Sequence, residues 1–427
     1  MNISNLHQLF LECSEISTDT RKIVSNCLFF ALKGDNFNGN KFAQEALDKG
    51  AKYAVVDEEE YATNDSFILV DDVLGSLQEL AKFHRNYLKI PIIALTGSNG
   101  KTTTKELINT VLSKKFKTIA TLGNLNNHIG VPLTLLSMNK ETEFGIVEMG
   151  ANHLKEIEFL CAIAQPDYGY ITNFGKAHLE GFGSEEGVIR GKTELYKHLM
   201  LNGKLIFLNG NDNKQIEQVG SYSNYFKFGD ELADVEIKFR YANPFVSIIY
   251  AGKEIDSQLI GTYNFNNIAA AIAIGQYFKI DTTTIKEAIE SYVPENNRSQ
   301  IIQKGTTKII LDAYNANPTS MKAALDSFSR LDDSNRIAIL GDMFELGVTA
   351  IKEHKFIADY AKSLNLLKVY LIGSHFNQVK TESDDLIVFE SFEDFKTHFN
   401  QDLFENSTLL IKGSRGMALE RVLDLLN

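Results

Sequence analysis

The junction at 91–104 constrains this chain more than any other stretch. The apolar run Ile92, Ile93, Ala94, Leu95 stops abruptly at Thr96, Gly97, Ser98, Asn99 and Gly100. Lys101, Thr102 and Thr103 follow, and residues 106–112 continue with helical periodicity. A buried strand, a glycine-rich turn and a helix start in that order place free backbone N–H groups at the positive end of a helix dipole. A polyphosphate fits such a nest, with Lys101 on its outer phosphates and a threonine hydroxyl on Mg²⁺. The long form of this pattern has a glycine where Leu95 stands, so the junction is the shorter Thr-Gly-x-Asn-Gly-Lys-Thr-Thr form. The competing reading, a plain turn with a solvated lysine, leaves the clustering of glycine, hydroxyl and lysine unexplained. Thr96, Gly97, Ser98, Asn99, Gly100, Lys101, Thr102 and Thr103 are therefore the candidate nucleotide loop, and ATP the expected ligand.

The rest of the chain reads as three α/β blocks. Residues 1–86 hold short apolar runs at 27–32 and 51–56 with helical segments at 42–49 and 74–87. Residues 87–296 alternate apolar runs (90–95, 144–149, 168–172, 204–208) with helical patterns, which predicts a mostly parallel, helix-covered sheet of the mononucleotide-binding kind. Within it, 222–260 changes character and predicts a small antiparallel meander. Residues 297–427 carry strand-like runs at 308–311, 336–340, 368–372, 386–389 and 408–411, which predicts a Rossmann-like domain. The junction at 293–298 is polar and carries Pro294.

A formal net charge of −12 argues against a nucleic-acid surface as the main business. The start of the chain lacks the pattern of a signal peptide, and no run reaches the length of a membrane span. Cys13, Cys27 and Cys161 form no Cys-x-x-Cys pair and read as reduced packing residues of a cytoplasmic protein.

Polar residues gather where strands end, the place ligands occupy in open α/β sheets. Glu148 closes the run at 144–149 and reads either as a Mg²⁺ ligand or as a capping or surface carboxylate. Asn173, His178 and Glu180 follow the run at 168–172; a lone histidine is more often structural, and the ligand reading of His178 leans on Glu148 and Thr102 beside it. Asn264 and Asn267 open an apolar helix. Asn264 or its neighbours can cap that helix, a credible reading of Asn264 on its own; capping explains Asn267 poorly, and its amide can read an adenine edge. In the last block Asp312, Tyr314, Asn315 and Asn317 end one strand, Asp342 and Glu345 a second, and Lys412, Ser414 and Arg415 a third. Three polar ends on one sheet predict a single crevice. Lys192 and Arg190 lie on a helix and, from their residue types alone, read as solvated.

Together with the strings 123–132, 314–318, 340–347 with His354, and 412–415, these features make the chain resemble the Mur ligases over nearly its whole length. These are ATP-dependent amide-forming enzymes of peptidoglycan precursor synthesis. The likeness is greatest to the branch that joins D-alanyl-D-alanine to UDP-N-acetylmuramoyl-tripeptide; another Mur step or a folylpolyglutamate-type ligation is the alternative. The resemblance implies roles. Lys101 would hold phosphates. Thr102, Glu148 and His178 would bind Mg²⁺, with Lys192, carbamylated by CO₂, at a second metal. Lys101, His178 and Lys192 form its catalytic set. Asn264 and Asn267 would approach adenine, and Arg298, Asp312 and Tyr314 would meet the nucleotide across the hinge. Asp19, Thr20 and Arg21 would grip the UDP-sugar end, Asn126 and Asn127 would face that substrate, and Asn315, Asn317, Lys412, Ser414 and Arg415 would meet the incoming dipeptide. The block 1–86 would be the UDP-sugar domain, and the enzyme a monomer. Asn38-Gly39-Asn40, and Asn297 before Arg298, depart from the common forms of the family's strings.

Overall fold

The computed structural model describes residues 1–427 except 231, 296, 334, 380–384 and 427. Residue 296, which ends the second block read from the sequence, lies outside the described residues, as does the last residue of the third.

The first block builds a four-stranded parallel sheet from Ile16–Ser17, Leu28–Phe30, Tyr53–Val56 and Phe67–Leu69, adjacent in chain order. Two of these strands, at 16–17 and 67–69, are too short to show a period in the sequence. The helix Val73–Leu88 follows. Asp72 starts it by accepting the N–H groups of Leu74 and Gly75. Its buried face (Val73, Leu77, Leu80, Ala81) joins the first sheet's core to the second's.

The central sheet has nine strands. Strand Ile92–Thr96 lies between Phe144–Glu148 and Tyr168–Ile171, parallel to both. Thr118–Ala120 continues one side. Leu205–Asn209, Tyr225–Gly229 and Val235–Ala242 continue the other, all in parallel pairing. The strand order therefore reverses at Ile92–Thr96, which makes its C-terminal end the switch point where a ligand crevice opens. The expected meander is smaller than the sequence suggests. Tyr225–Gly229 belongs to the parallel sheet, and only Val235–Ala242, Phe245–Tyr250 and Lys253–Ile260 pair antiparallel. Helix Asn264–Tyr277 packs against helix Lys101–Leu112, its residues 268–275 buried on every side, which explains its lack of amphipathic pattern.

The third block forms a six-stranded sheet in the order Gln300–Lys304, Thr307–Asp312, Thr408–Lys412, Arg336–Gly341, Lys368–Ile372, Leu386–Phe389. The edge strand Gln300–Lys304 is antiparallel and the others are parallel. Helices cover both faces. This is the Rossmann-like arrangement expected, with one additional edge strand that alternates too little to be read from sequence.

Candidate active site

The turn after Ile92–Thr96 is built for close approach. Gly97 (φ 143°) and Gly100 (φ 79°) adopt conformations that side chains resist. A Cβ on Gly97 would lie 2.0 Å from Thr172 Oγ1, and one on Gly100 2.6 Å from Asn267 Oδ1. The turn is pinned by its neighbour. Ser98 Oγ donates to the Gly175 carbonyl at 2.8 Å, the Asn99 N–H donates to Asn173 Oδ1 at 3.1 Å, and Thr172 Oγ1 donates to the Asn99 carbonyl at 2.6 Å. Lys101 folds back over the turn, its Nζ 2.7 Å from the Gly97 carbonyl. Burial, outweighing the nearby Glu148 charge, pushes the Lys101 ammonium pKa down.

Glu148 is buried, 1% exposed, which rules out the surface reading. Oε2 accepts from Thr102 Oγ1 at 2.9 Å and Oε1 from Asn126 Nδ2 at 2.7 Å, while the Glu148 N–H is held by Thr121 Oγ1 at 2.9 Å. A hydroxyl from the first helical turn and a carboxylate from the next strand make an all-oxygen pair of the kind that suits Mg²⁺ beside a triphosphate.

Both open onto a cavity of about 930 Å³ between the central and last sheets. Its walls include Ser98, Asn99, Gly100, Lys101, Thr102, Thr103, Asn126, Asn127, His178, Asn264 and Asn267 from the central part. From the hinge and the last part come Arg298, Asp312, Tyr314, Asn315, Asn317, Glu345, Lys412, Ser414 and Arg415. Thr96 and Gly97 shape the turn from beneath and do not line the cavity; the Thr96 hydroxyl is buried without a hydrogen-bond partner. Asp19, Thr20 and Arg21 follow the strand Ile16–Ser17 of the first sheet and do not line the cavity. There Asp19 caps the turn Thr20–Lys22 and pairs with Arg21 at 2.8 Å.

The two parts touch across this cavity. Asn317 Nδ2 donates to Asn99 Oδ1 at 2.7 Å, the Lys176 N–H donates to Thr319 Oγ1 at 3.0 Å, and Lys176 Nζ pairs with Glu353 at 2.9 Å. His178 Nδ1 meets Glu345 Oε2, and the Glu180 N–H donates to the Glu345 carbonyl at 3.2 Å. Both His178 (φ 53°) and Glu345 (φ 61°) hold left-handed backbone, a conformation that concentrates at functional sites.

Several side chains stand differently from expectation. Lys192 is fully buried rather than solvated. It lies behind the wall, with Nζ 2.9 Å from the Ala151 carbonyl and 5.0 Å from the Phe182 ring centroid. Burial, with the Lys101 charge second, drives its pKa well below the ordinary lysine value. Asn264 does not cap its helix: it occupies the first helical position, and its Nδ2 donates to the Ile260 carbonyl at 2.8 Å. It completes a relay in which Thr104 Oγ1 donates to Asn267 Oδ1 and Asn267 Nδ2 to Asn264 Oδ1. Asp342 does not share the crevice with Glu345. It is buried and accepts the N–H groups of His375 and Phe376, at 2.9 and 3.0 Å, from the neighbouring strand's end. Lys412 is buried against Asp312 at 2.6 Å, so the exposed cation of its loop is Arg415. Arg298 stacks on Tyr314, guanidinium to ring centroid 3.7 Å, forming a flat platform at the hinge. In the first block Asn40, at one of the departing positions, is fully buried and ties the loop to Asp57 at 2.8 Å.

Thr104, Thr121, Thr172 and Phe344 also shape or line the site. Phe344 lies within the string 340–347 but is not singled out there, and no local signal marks the three threonines, which act through partners distant in the chain.

Three family models match the chain: "Mur ligase family, catalytic domain" over residues 12–91, "Mur ligase middle domain" over 95–275 and "Mur ligase, glutamate ligase domain" over 297–415. The chain is 33% identical over 429 residues to the UDP-N-acetylmuramoyl-tripeptide–D-alanyl-D-alanine ligase of Bacillus subtilis (strain 168), covering 95% of this chain and 92% of that protein. Identity to the Haemophilus influenzae protein of the same name is also 33%, with 97% and 93% covered. A crystal structure of MurF from Acinetobacter baumannii superposes with a TM-score of 0.85 at 28% identity, covering 100% of this chain and 98% of that one. MurF ligase from Thermotoga maritima in complex with ADP gives 0.83 at 26% identity, with 97% of each chain covered.

Proposed function

The chain belongs to the Mur ligase family, and from that premise we propose that it joins D-alanyl-D-alanine to UDP-N-acetylmuramoyl-tripeptide at the expense of ATP, in peptidoglycan precursor synthesis. The observation that carries the reading is the single cavity at which the nucleotide loop, the Thr102–Glu148 pair and the polar strand ends of the last sheet meet.

The tripeptide's terminal carboxylate attacks the γ-phosphorus of ATP, ADP leaves, and the dipeptide amine displaces phosphate from the resulting acyl phosphate. Charge moves between two anions, so the site must supply fixed positive ends. The turn at 97–100 offers backbone N–H groups at a helix start, and Lys101 a cation held against that turn. Thr102, Glu148 and His178 are the donors proposed for Mg²⁺, with a carbamylated Lys192 for a second ion; when bound, the ions would neutralise phosphate charge. Lys192 is suited to carbamylation because CO₂ adds to a neutral amine, and burial favours that form. The Arg298–Tyr314 platform, Asn264 and Asn267 are assigned to the nucleotide. Asn315, Asn317, Ser414 and Arg415 are assigned to the dipeptide, with Lys412 fixing the loop. The contacts of Asn99, Lys176 and His178 with the last sheet keep water from the acyl phosphate.

We assign residues 1–86 to the UDP-sugar end, through Asp19, Thr20 and Arg21, with Asn126 and Asn127 continuing that surface. Residues 87–296 bind ATP and 297–427 the dipeptide. Among the described residues no helix is long and apolar enough to cross a membrane; we place the protein in the cytoplasm, as a monomer. The test is ADP release and product mass with UDP-N-acetylmuramoyl-tripeptide, ATP and Mg²⁺, adding D-alanyl-D-alanine, L-alanine, L-lysine, meso-diaminopimelate or glutamate separately. Turnover with D-alanyl-D-alanine alone is expected. Turnover with glutamate instead would move the chain to the folylpolyglutamate-type alternative.

A further inference from the structure

The loop 342–346 carries Phe344 and Glu345 into the cavity, yet it is held from behind. The Phe344 N–H donates to Ser414 Oγ at 2.9 Å. The Met343 N–H donates to His354 Nε2, also at 2.9 Å. His354 is fully buried, and its Nδ1 lies 2.7 Å from the Ala350 carbonyl, an acceptor only. Those two contacts define the ring: Nδ1 carries the proton and Nε2 presents a lone pair.

His354, Asp342 and His375 have donor atoms near enough to one another to suggest a metal site. Their bonding accounts for them otherwise. The His354 Nε2 lone pair is taken by Met343, and both Asp342 oxygens accept N–H groups of 375 and 376. The cluster is a hydrogen-bonded anchor, and its output is the position of one backbone N–H.

We propose that His354 is a positioning residue for the dipeptide step: by accepting the Met343 N–H it fixes the loop that sets Phe344 and Glu345 in the acceptor end of the cavity. This rests on the ligase reading above. Glu345 is strained at φ 61°, meets His178 through its carboxylate and accepts from the Glu180 N–H through its carbonyl. A loop that bridges two sheets in a strained conformation needs its other end determined, and His354 supplies that end without touching substrate.

The test separates the two ring nitrogens. In His354→Gln the side-chain amide reaches the Nε2 position and can still accept from Met343. In His354→Asn it reaches only the Nδ1 position and keeps the Ala350 contact. The KM for D-alanyl-D-alanine is expected to rise about 10-fold in H354N, with the KM for ATP unchanged, and to stay within about 3-fold of wild type in H354Q. Equal effects of the two variants, or equal effects on both KM values, would mean that His354 only fills space and would overturn the proposal. Hydrogen exchange on the wild-type protein does not depend on either variant folding: a protected Met343 amide is expected, and one exchanging at the open-loop rate overturns the proposal. Wild-type protein inactive with D-alanyl-D-alanine but active with another acceptor would instead overturn the ligase assignment, a distinct outcome.

Discussion

The hydroxyl of Thr102 donates to the carboxylate of Glu148 at 2.9 Å, joining the first turn of the nucleotide-loop helix to the end of the adjacent strand. Neither group reaches the other through local structure. The parallel pairing of Leu95 with Glu148 brings the strand end alongside the loop, and Asn126 holds the second carboxylate oxygen. The pair is an aligned oxygen site before any ligand arrives, which lowers the reorganisation needed at the reacting phosphate.

Glu148→Gln keeps the shape and removes the charge; its amide oxygen can still accept from Asn126, while its NH₂ reverses the bond to Thr102, whose hydroxyl then accepts. Turnover is expected to fall by about 10²-fold or more. The Mg²⁺ concentration for half-maximal rate should rise, and thermal stability should change little. A titration of rate against Mg²⁺ with a melting curve checks this; normal Mg²⁺ dependence would remove Glu148 from the metal site.

Lys192 makes a second expectation specific. Its amine is buried, its Nζ meets the Ala151 carbonyl, and its pKa is driven well below the ordinary value by burial. Burial therefore favours the neutral amine to which CO₂ adds. Dialysis against CO₂-free buffer should lower activity, and bicarbonate should restore it. Activity indifferent to both treatments would leave Lys192 as a buried amine with no part in catalysis.

The contact between Asn317 and Asn99 allows stability and domain coupling to be separated. Asn317 caps helix Pro318–Ser329 through Oδ1 and reaches Asn99 through Nδ2. Asn317→Asp keeps the cap acceptor and removes the donor to Asn99, whereas Asn317→Ala removes both. The alanine variant should lose about 1 kcal/mol of stability from the cap. The aspartate variant should melt like wild type yet show a raised KM for ATP, because the turn carrying Asn99 has lost its tie to the last sheet. Equal KM values in wild type and Asn317→Asp would show that this tie does not support nucleotide binding.

The nucleotide turn was legible in the sequence because its causes are local: glycines where φ is positive, a lysine and hydroxyls at a helix start. Glu148 was legible as a strand end, though its burial was not. What sequence could not reveal depends on partners far along the chain. Asp342 and Glu345 both follow one strand, three residues apart. Only the strand Lys368–Ile372 and the helix beginning at Ser374 decide that Asp342 turns inward to cap a helix while Glu345 faces the crevice. Lys192 looked solvated from its residue type alone, whereas its side chain meets Ala151, distant in the chain, and Phe182, on another element, rather than water. Tyr225–Gly229 looked like part of a meander because nothing in five residues distinguishes a parallel partner from an antiparallel one.

The last expectation concerns pH and the seating of the first helix, Ile3–Leu11. His7 Nε2 lies 3.0 Å from His84 Nδ1, and His84 Nε2 lies 2.8 Å from the Met138 carbonyl. Since that carbonyl can only accept, His84 carries its proton on Nε2, its Nδ1 accepts, and His7 donates. Phe10, Phe83 and Tyr87 surround the pair, and Lys140 lies over the Tyr87 ring. Burial, with His84 second, lowers the His7 pKa from 6.5 to about 4, and burial lowers that of His84 as well. Each histidine thus binds its proton more weakly folded than unfolded, so the stability they contribute is full above pH 6.5 and is lost as pH falls toward 4. The loss should be on the order of 3 kcal/mol for His7 across that window, most of it in the docking of helix Ile3–Leu11 on helix Val73–Leu88. His7→Phe removes one titrating group and the pairing with it, and should flatten the dependence while lowering stability at pH 8, where His84 Nδ1 loses its donor. Melting curves of both proteins from pH 8 to pH 4 decide the matter: parallel pH profiles would show that the acid sensitivity arises elsewhere in the molecule.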